Sequence, residues 1–329
     1  MRSILSNLLT LMIVGLCILA GAVFWGQREF TQPGPLTQAT VITVERGATL
    51  NGVARVLEDA GAISNTDVFR LGARYTETDR GLRFGEYEIP AGASMEEILE
   101  LLNSGRSILY QVTIPEGWTS WQAVQRINEN ELLVGEITEM PPEGSLAPNT
   151  YSIERGMERQ ALVDLMMEAQ AEIVAEAWEN RAEGLPLESP EELLILASIV
   201  EKETGVSAER EQVASVFVNR INRGMRLQTD PTVIYGITLG EGTLGRGLRR
   251  SELDAETPYN TYVIPGLPPT PIANPGRASI EATANPAETD YFFFVADGTG
   301  GHAFSVTYEE HNRNVARWRA IERQRSESQ

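Results

Sequence analysis

The stretch Leu193-Leu-Ile-Leu-Ala-Ser-Ile-Val-Glu-Lys-Glu-Thr204 carries eight residues without a charge directly into a carboxylate, Glu201. Just before it, Ser189 is followed three residues later by Glu192, which is the pattern of a helix capping box. The sequence therefore predicts a helix from Pro190 to Thr204. Because its central turns have no polar face, we expect this helix to be buried on all sides.

Glu201 stands at the end of this apolar helix, where we expect its carboxyl to reach the floor of a cleft. Removal from water raises the pKa of a carboxyl, and the negative end of the helix dipole acts in the same direction. A glutamate that keeps its proton near neutral pH can serve as a general acid, so Glu201 is the predicted catalytic residue. The alternative is a surface glutamate paired with Lys202 or Arg210.

The composition limits the classes of function. The chain has 329 residues and a formal net charge of −19. This length allows two domains, or one large domain with an appendage. The negative charge argues against nucleic acid as a partner, because a phosphate backbone requires a basic face. One cysteine, Cys17, and two histidines leave no disulfide framework and no zinc set. We therefore expect chemistry that uses carboxylates, hydroxyls and amides.

The N-terminus contains an uncharged run from Ser3 to Gln27, long enough at about 1.5 Å per residue to cross a bilayer. Residues 1–28 are therefore predicted to be a transmembrane helix with a short cytoplasmic tip, followed by a tether over residues 29–40. The rival interpretation is a cleaved secretory signal, because Ala20-Gly21-Ala22 has the small residues of a cleavage site. In both cases the bulk of the protein is exported.

Residues 41–108 are predicted to form a small α+β module in the order strand, helix, helix, strand, helix. A capping-box pattern, Ser94 with Glu97, marks the start of its last helix. This order resembles a LysM-like domain, the kind that binds the N-acetylated sugars of cell-wall glycan. The alternative is a spacer that lifts the next domain off the membrane.

Residues 109–329, with a core at 191–320, are predicted to form a larger mixed α+β domain, so the fold class is α+β. Tyr291 to Asp297 indicates a buried strand, and His302 follows the next turn, where it could face a groove. A structural histidine is the alternative for His302.

Three segments beyond Gly224 are rich in amides, hydroxyls, tyrosines and prolines: Gln228–Thr232, Glu256–Tyr262 and Gly266–Gly276. We expect these segments to be loops. Such loops suit a groove for a neutral, hydroxyl-rich polymer, because sugars offer hydrogen-bonding groups and apolar ring faces that stack on aromatic rings.

Six segments together carry a resemblance to a known family. They are Ala197-Ser-Ile-Val-Glu-Lys-Glu-Thr204, Val213-Ala-Ser-Val-Phe-Val-Asn-Arg220, Leu227-Gln-Thr-Asp-Pro-Thr-Val-Ile-Tyr-Gly236, Tyr259-Asn-Thr-Tyr262, Gly266-Leu-Pro-Pro269 and Gly300-Gly-His302 with Phe304-Ser305. The chain resembles the endolytic murein transglycosylases of the YceG-like family, densely from residue 191 onward and by pattern before it. Two residues depart from the family pattern: Asn149 stands where an aspartate is expected, and Thr270 where a glycine is expected.

The resemblance implies cleavage of the β-1,4 bond between N-acetylmuramic acid and N-acetylglucosamine inside a peptidoglycan strand. The product is a 1,6-anhydro-muramoyl end, so the enzyme is a lyase. The resemblance also implies a single-pass inner-membrane protein whose catalytic domain lies in the periplasm. There it acts near the peptidoglycan synthases, the penicillin-binding proteins, and limits the length of new strands. No metal or cofactor is expected.

A lytic reaction needs one carboxyl, and Glu201 is predicted to supply it. That group protonates the glycosidic oxygen and then accepts the proton of the muramic 6-hydroxyl, whose oxygen closes on the anomeric carbon. Hydrolysing glycosidases use two carboxyls. Glu203 points to another side of the helix, so a second group would come from Asp230 or Glu256. The predicted substrate-binding residues are Gln228, Thr229, Asp230, Tyr259, Asn260, Tyr262 and His302.

Two other functions remain open at this point. One is a non-enzymatic, membrane-anchored scaffold that binds the cell wall and recruits synthases through its acidic surface. The other is a muramidase that hydrolyses the same bond. For individual residues, Asp230 could instead form an Asx turn before Pro231, and Tyr262 could serve core packing.

Overall fold

The computed structural model describes the backbone of residues 2–327 and the side chains of residues 7–325. The chain divides into two compact units. The first comprises Met1–Gln111 with Ser152–Met157, and the second comprises Val112–Tyr151 with Glu158–Gln329. Both units contain helices and strands, so the fold mixes the two kinds of element, as predicted.

The first helix, α1 (Arg2–Thr31), contains the N-terminal apolar run. Its segment Asn7–Thr31 is long and apolar enough to cross a membrane, as a single-pass anchor requires. The predicted tether starts too early, because α1 continues through Thr31. Phe30 is only 8% exposed and belongs to the core of the first unit, and the Ser64 hydroxyl donates a hydrogen bond to Glu29 at 2.5 Å. These contacts explain why the helix extends past residue 28.

The rest of the first unit follows the predicted order of strand, helix, helix, strand and helix. The elements are β1 (Thr40–Val44), α2 (Leu50–Asp59), α3 (Thr66–Tyr75), β2 (Gly85–Ile89) and α4 (Met95–Ser104). β1 and β2 pair antiparallel, with Thr40 opposite Ile89. Ser94 and Glu97 form the predicted capping box at the start of α4. The likeness to a LysM domain stays a prediction.

Two short strands, β3 (Leu109–Thr113) and β4 (Thr150–Glu154), pair in a two-stranded sheet. The division between the units falls within both strands. The second unit then consists mainly of helices, with one further hairpin. Its elements are α5 (Ser120–Asn128), α6 (Arg159–Glu179), α7 (Pro190–Glu203), a 3₁₀ turn (Ser207–Glu209), α8 (Arg210–Asn222), α9 (Asp230–Thr238), α10 (Arg250–Leu253), α11 (Arg277–Ala284), β5 (Phe293–Ala296), β6 (His302–Ser305) and α12 (Tyr308–Glu327).

Helix α7 lies in the core of the second unit. Leu196 and Ile199 are fully buried and share a core with Phe217 of α8 and Ile280 of α11. Every residue from 195 to 200 is buried. The prediction of an apolar helix buried on all sides is confirmed.

The ends of α7 differ in detail from the prediction. The Glu192 N–H donates to the Ser189 hydroxyl at 3.3 Å, but the Glu192 carboxylate accepts from the Glu188 N–H at 2.7 Å. Only the Ser189 half of the predicted capping box therefore forms. The helix ends at Glu203, because Thr204 has an extended backbone and serves as the C-cap.

Two further expectations are wrong. Residues 228–232 do not form a loop throughout, because α9 begins at Asp230. Pro231 suits this first turn, since its fixed φ is helical and it has no N–H to leave unpaired. The strand near residue 293 is only partly buried rather than buried, since among the described residues it pairs with a single other strand in a hairpin.

Candidate active site

Two carboxylates stand at the end of α7. Glu201 lies in the last turn, and Glu203 is the last helical residue. Residues two apart on a helix do not share a face. Their surroundings therefore decide which of them lies with the residues that were predicted to bind substrate.

Glu203 lies with those predicted residues. The hydroxyl of Thr229 donates a hydrogen bond to its Oε1. Burial raises the pKa of Glu203, and the negative charge of Asp230 raises it further. The Thr229 hydrogen bond and the positive charge of Arg220 oppose this rise in pKa, and His302 opposes it whenever its imidazole is protonated. The net effect is a carboxyl that holds its proton more tightly than an ordinary glutamate, as general-acid catalysis near neutral pH requires.

Three buried threonines fix the chain where it enters α9. The Thr229 N–H donates to Oγ1 of Thr261 at 3.0 Å, and the Thr232 hydroxyl lies 2.9 Å from the same oxygen. The Gln228 N–H donates to the Thr261 carbonyl at 3.1 Å. These hydrogen bonds join the start of α9 to the segment around residue 261, and this junction places the Thr229 hydroxyl against Glu203.

Tyr262 and Asp230 form a polar pair beside this junction. The Tyr262 hydroxyl donates to Oδ1 of Asp230 at 2.6 Å. Burial raises the pKa of the Tyr262 phenol, and the hydrogen bond to Asp230 adds to the effect, so the phenol stays protonated. Asp230 is exposed and Tyr262 is half-buried, which leaves both accessible to a ligand.

His302 is held by a glutamate that the sequence did not single out. Oε2 of Glu209 lies 2.8 Å from Nδ1 of His302, and Oε1 accepts the His302 backbone N–H at 3.0 Å. The ring of Phe294 meets the imidazole edge-on, with centroids 5.3 Å apart. His302 is therefore fixed at its backbone and at one ring nitrogen.

Arg220 supplies a buried cation. It is 7% exposed, its Nε donates to the Phe292 carbonyl at 2.7 Å, and its Nη1 donates to the Leu227 carbonyl at 2.5 Å. These two bonds tie α8 to the segment before β5 and to the residues that lead into α9. Its charge also lowers the pKa of Glu203, against the effect of burial.

Glu201 has a different kind of neighbourhood. Its Oε2 accepts a hydrogen bond from the Gly276 backbone N–H at 3.1 Å. The adjacent Lys202 donates from Nζ to the Gly117 carbonyl at 3.1 Å, and the Gly117 N–H donates to the Asn274 carbonyl at 2.9 Å. Glu201 therefore contacts the segment near residue 276, and Lys202 contacts the segment near residue 117. These contacts join backbone segments and bring no predicted substrate-binding residue to Glu201.

Tyr259 belongs to a third polar group. Its ring lies 5.0 Å from that of Tyr235, and its hydroxyl is 2.8 Å from Oγ1 of Thr270. Tyr235 in turn hydrogen bonds to Glu143, whose pKa is raised by burial. Thr270, one of the two departures from the family pattern, thus serves as the hydrogen-bond partner of Tyr259.

Two predicted substrate-binding residues, Asn260 and Gln228, do not hydrogen-bond to Glu203 through their side chains in the part of the chain that the structure describes. Asn260 is fully buried, and its side-chain N–H groups donate to the carbonyls of Glu252, Leu253 and Ala255. Its amide therefore braces the backbone and is not available to a ligand in this conformation. Gln228 is exposed and has a positive φ of 51°, but the contact that ties it to this site is made by its backbone.

The sequence model of the YceG-like family matches residues 42–317 of the chain. The chain belongs to the YceG-like family. Among its relatives, the endolytic murein transglycosylase of Bacillus subtilis is 28% identical over 90% of this chain and 89% of that protein. The endolytic murein transglycosylase of Streptococcus pneumoniae is 28% identical over 84% of this chain, but this chain matches only 57% of its length. A crystal structure of a YceG-like protein from Listeria monocytogenes is 28% identical and superposes with a TM-score of 0.53, covering 84% of this chain and 98% of that one.

In this YceG-like protein, only some of the predicted substrate-binding residues lie near one carboxyl, that of Glu203. Thr229 hydrogen-bonds to Glu203, and Asp230, Tyr262 and His302 lie near enough to interact with it electrostatically. Tyr259 lies instead with Tyr235 and Thr270. The predicted set did not include Glu203, Glu209 or Arg220, which the structure places with these residues. A signal for Glu203 was present, because it lies in the same family-like segment, Ala197–Thr204, as Glu201.

Proposed function

We propose that this protein is an endolytic peptidoglycan lytic transglycosylase in which Glu203 is the single catalytic acid and base. The names of the relatives in Bacillus and Streptococcus support the reaction class. The observation that carries the assignment of the residue is the cluster around Glu203, where a carboxyl with a raised pKa lies among accessible hydrogen-bonding groups.

In the proposed reaction, the protonated Glu203 donates its proton to the glycosidic oxygen as the bond from that oxygen to the muramic anomeric carbon breaks. The resulting carboxylate then accepts the proton of the muramic 6-hydroxyl, while the 6-oxygen bonds to the anomeric carbon. The glutamate ends the cycle protonated, as it began. The nucleophile belongs to the bound sugar, so its attack is intramolecular and gains from fixed geometry.

Thr229 has a specific place in this cycle. Its hydroxyl donates to Oε1 of Glu203, which leaves Oε2 to carry and deliver the proton. The same hydrogen bond stabilises the carboxylate that forms after the first proton transfer. Asp230 and Tyr262 are proposed to bind hydroxyl or N-acetyl groups of the glycan at the accessible edge of the site.

The sequence favoured Glu201 for this role, and we propose Glu203 instead. Both are glutamates on the same helix, but the contacts of Glu201 are with a backbone N–H near residue 276. Four of the residues predicted to bind glycan lie with Glu203. A general acid must be within hydrogen-bond reach of the bond it protonates, and this requirement favours the carboxyl beside the ligand-binding groups.

The cellular setting is proposed on the same basis. The N-terminal helix would anchor the protein in the inner membrane with the catalytic unit in the periplasm. There it would act on nascent strands beside the penicillin-binding proteins and limit strand length. The first unit would bind glycan in the manner of a LysM domain, or serve as a spacer.

A muramidase is the second candidate, and one observation favours it. The negative charge of Asp230 lies close enough to raise the pKa of Glu203, so a second carboxyl stands beside the first. Paired carboxyls are the arrangement that hydrolysing glycosidases use. In that reaction Asp230 would activate water or attack the anomeric carbon, and the product would keep an ordinary reducing end.

Mass spectrometry of the products from uncrosslinked glycan tests these proposals. The wild-type protein, Glu203→Gln and Glu201→Gln are incubated in parallel, with folding checked by circular dichroism. We expect 1,6-anhydro ends, lighter by one water than hydrolysed ends, from the wild type and from Glu201→Gln. Only hydrolysed ends would establish the muramidase, and no cleavage by any well-folded protein would favour the scaffold. Full activity in Glu203→Gln would remove Glu203 from the mechanism.

A further inference from the structure

Glu209 and His302 form a contact that the proposed reaction does not yet use. Glu209 closes the 3₁₀ turn between α7 and α8, and His302 opens β6, 93 residues later. The two oxygens of one carboxylate bind different atoms of His302: the ring Nδ1 at 2.8 Å and the backbone N–H at 3.0 Å. Each side chain is 17% exposed.

The glycine before His302 makes this contact possible. A Cβ atom on Gly301 would lie 2.4 Å from Oε1 of Glu209, which is far inside van der Waals contact. The carboxylate thus occupies the space that any other residue at position 301 would fill. The rings of Phe294 and Phe304 border the imidazole, with centroids 5.3 Å and 6.4 Å from it, and further restrict its orientation.

We propose that Glu209 is a positioning residue that holds His302 with its proton on Nδ1, so that Nε2 accepts a hydrogen bond from the glycan beside Glu203. This inference rests on the proposed function. An ionised carboxylate only accepts hydrogen bonds, so Nδ1 must donate. In a neutral imidazole the other nitrogen is then an acceptor. Its partner on the glycan is a hydroxyl or an N-acetyl N–H.

The place of His302 in the site supports this role. The ring of Phe294 contacts both the imidazole and Phe217 of α8. Arg220 of the same helix binds the Leu227 carbonyl, two residues before the Thr229 that hydrogen-bonds to Glu203, so the imidazole lies on the side of the unit that holds Glu203. The charges of Asp230 and Arg220 influence the pKa of Glu203. Asp297 lies near His302 as well, because a protonated His302 would lower the pKa of Asp297. A fixed acceptor here would orient a sugar donor relative to Glu203. A purely structural role, in which Glu209 only joins the 3₁₀ turn to β6, is the competing explanation.

Nuclear magnetic resonance of the imidazole nitrogens tests the tautomer without reference to activity. The chain has two histidines, so ¹⁵N-histidine labelling of the full chain in detergent, together with His311→Asn, assigns His302. At about pH 8, where an ordinary imidazole is neutral, we expect the Nδ1–H form in the wild type and in the matched control Glu211→Gln. Glu209→Ala should lose this preference. An Nε2–H form in the wild type, or an unchanged tautomer in Glu209→Ala, would overturn the proposal.

Kinetics test the link to the reaction. Glu209→Ala and His302→Ala should each lower kcat about tenfold to a hundredfold, the usual range for losing a group that orients another. The double variant should be no slower than His302→Ala, because Glu209 acts through the imidazole. Independent, multiplying losses, or a loss that follows the thermal midpoint, would indicate a structural role only. If Glu203→Gln proves fully active while the tautomer behaves as expected, the proposed mechanism fails but the Glu209 contact stands.

Discussion

Glu201 and Glu203 are two residues apart on one helix, yet they belong to different parts of the fold. Glu201 accepts a hydrogen bond from the Gly276 backbone N–H, in a region where side chains join loop segments to α7. Glu203 contacts the Thr229 hydroxyl and lies close to the charges of Asp230 and Arg220. The comparison teaches that the surroundings of a carboxylate depend less on its position in the helix than on the distant segments that the fold brings next to it.

The largest expected effect contrasts the two glutamates directly. Glu203→Gln keeps the size of the side chain but removes the proton that is transferred, so the rate of 1,6-anhydro product formation should fall by about 10² to 10⁴. Glu201→Gln should stay within about tenfold of the wild type, since its amide oxygen still accepts the Gly276 N–H. Initial rates by liquid chromatography with mass spectrometry decide this. The reverse ranking would restore Glu201 as the catalytic residue.

The helix that carries both residues was predictable, but the choice between them was not. The apolar run from residue 193 to 200 and the cap at Ser189 are local features, and they predict α7 within one residue at its end. The partners of Glu203 are not local. Thr229 is 26 residues away, and the site forms only because buried threonines join α9 to the segment around residue 261. No pattern along the sequence encodes that junction.

The predicted binding residues show the same limit. Asparagine is a reasonable ligand for sugars, so Asn260 was expected in the groove, but its amide satisfies three backbone carbonyls in the core. Likewise, the contact between Glu209 and His302 joins residues 93 positions apart. Residue type predicts which groups can bind a sugar. Burial and long-range pairing decide which of them are free to do so.

The pH dependence of the rate should sharpen the comparison. The alkaline limb of kcat/KM reports the pKa of the acid in the free enzyme. Thr229→Val removes a hydrogen bond that lowers the pKa of Glu203, so the limb should move to higher pH. Asp230→Asn removes a charge that raises this pKa, so the limb should move to lower pH. The matched control Thr270→Val removes a hydroxyl that contacts Tyr259, and it should leave the limb in place.

Shifts of the alkaline limb in the same direction for Thr229→Val and Asp230→Asn would show that the limb does not report Glu203. If Asp230→Asn instead abolishes cleavage and the wild type yields hydrolysed ends, Asp230 is a second catalytic carboxyl, as in the muramidase. Rates measured across the pH range with the same glycan preparation separate these outcomes.

The stability of the fold should respond to the two glutamates with opposite signs. The pKa of Glu203 is raised above its ordinary value of 4.5 in the folded state. Its contribution to stability is therefore complete below that value and is lost as the pH rises through the folded pKa, by about 1.4 kcal/mol for each unit of separation. Glutamine does not ionise, so Glu203→Gln does not lose stability as the pH rises. The variant should therefore have a higher thermal midpoint than the wild type near neutral pH. Equal midpoints at neutral pH would contradict the burial of this carboxyl.

The smallest expected effect concerns Glu201. Glu201→Gln should lower the free energy of unfolding by less than about 1 kcal/mol, because an acceptor for the Gly276 N–H remains. Glu201→Ala leaves that buried N–H without its acceptor and should cost about 1 to 3 kcal/mol. Urea unfolding of both variants, with the rate measured on the same samples, tests the assignment. If Glu201→Ala is as stable as the wild type but forms no product, Glu201 takes part in the reaction. The proposed contrast between Glu201 and Glu203 would then be wrong.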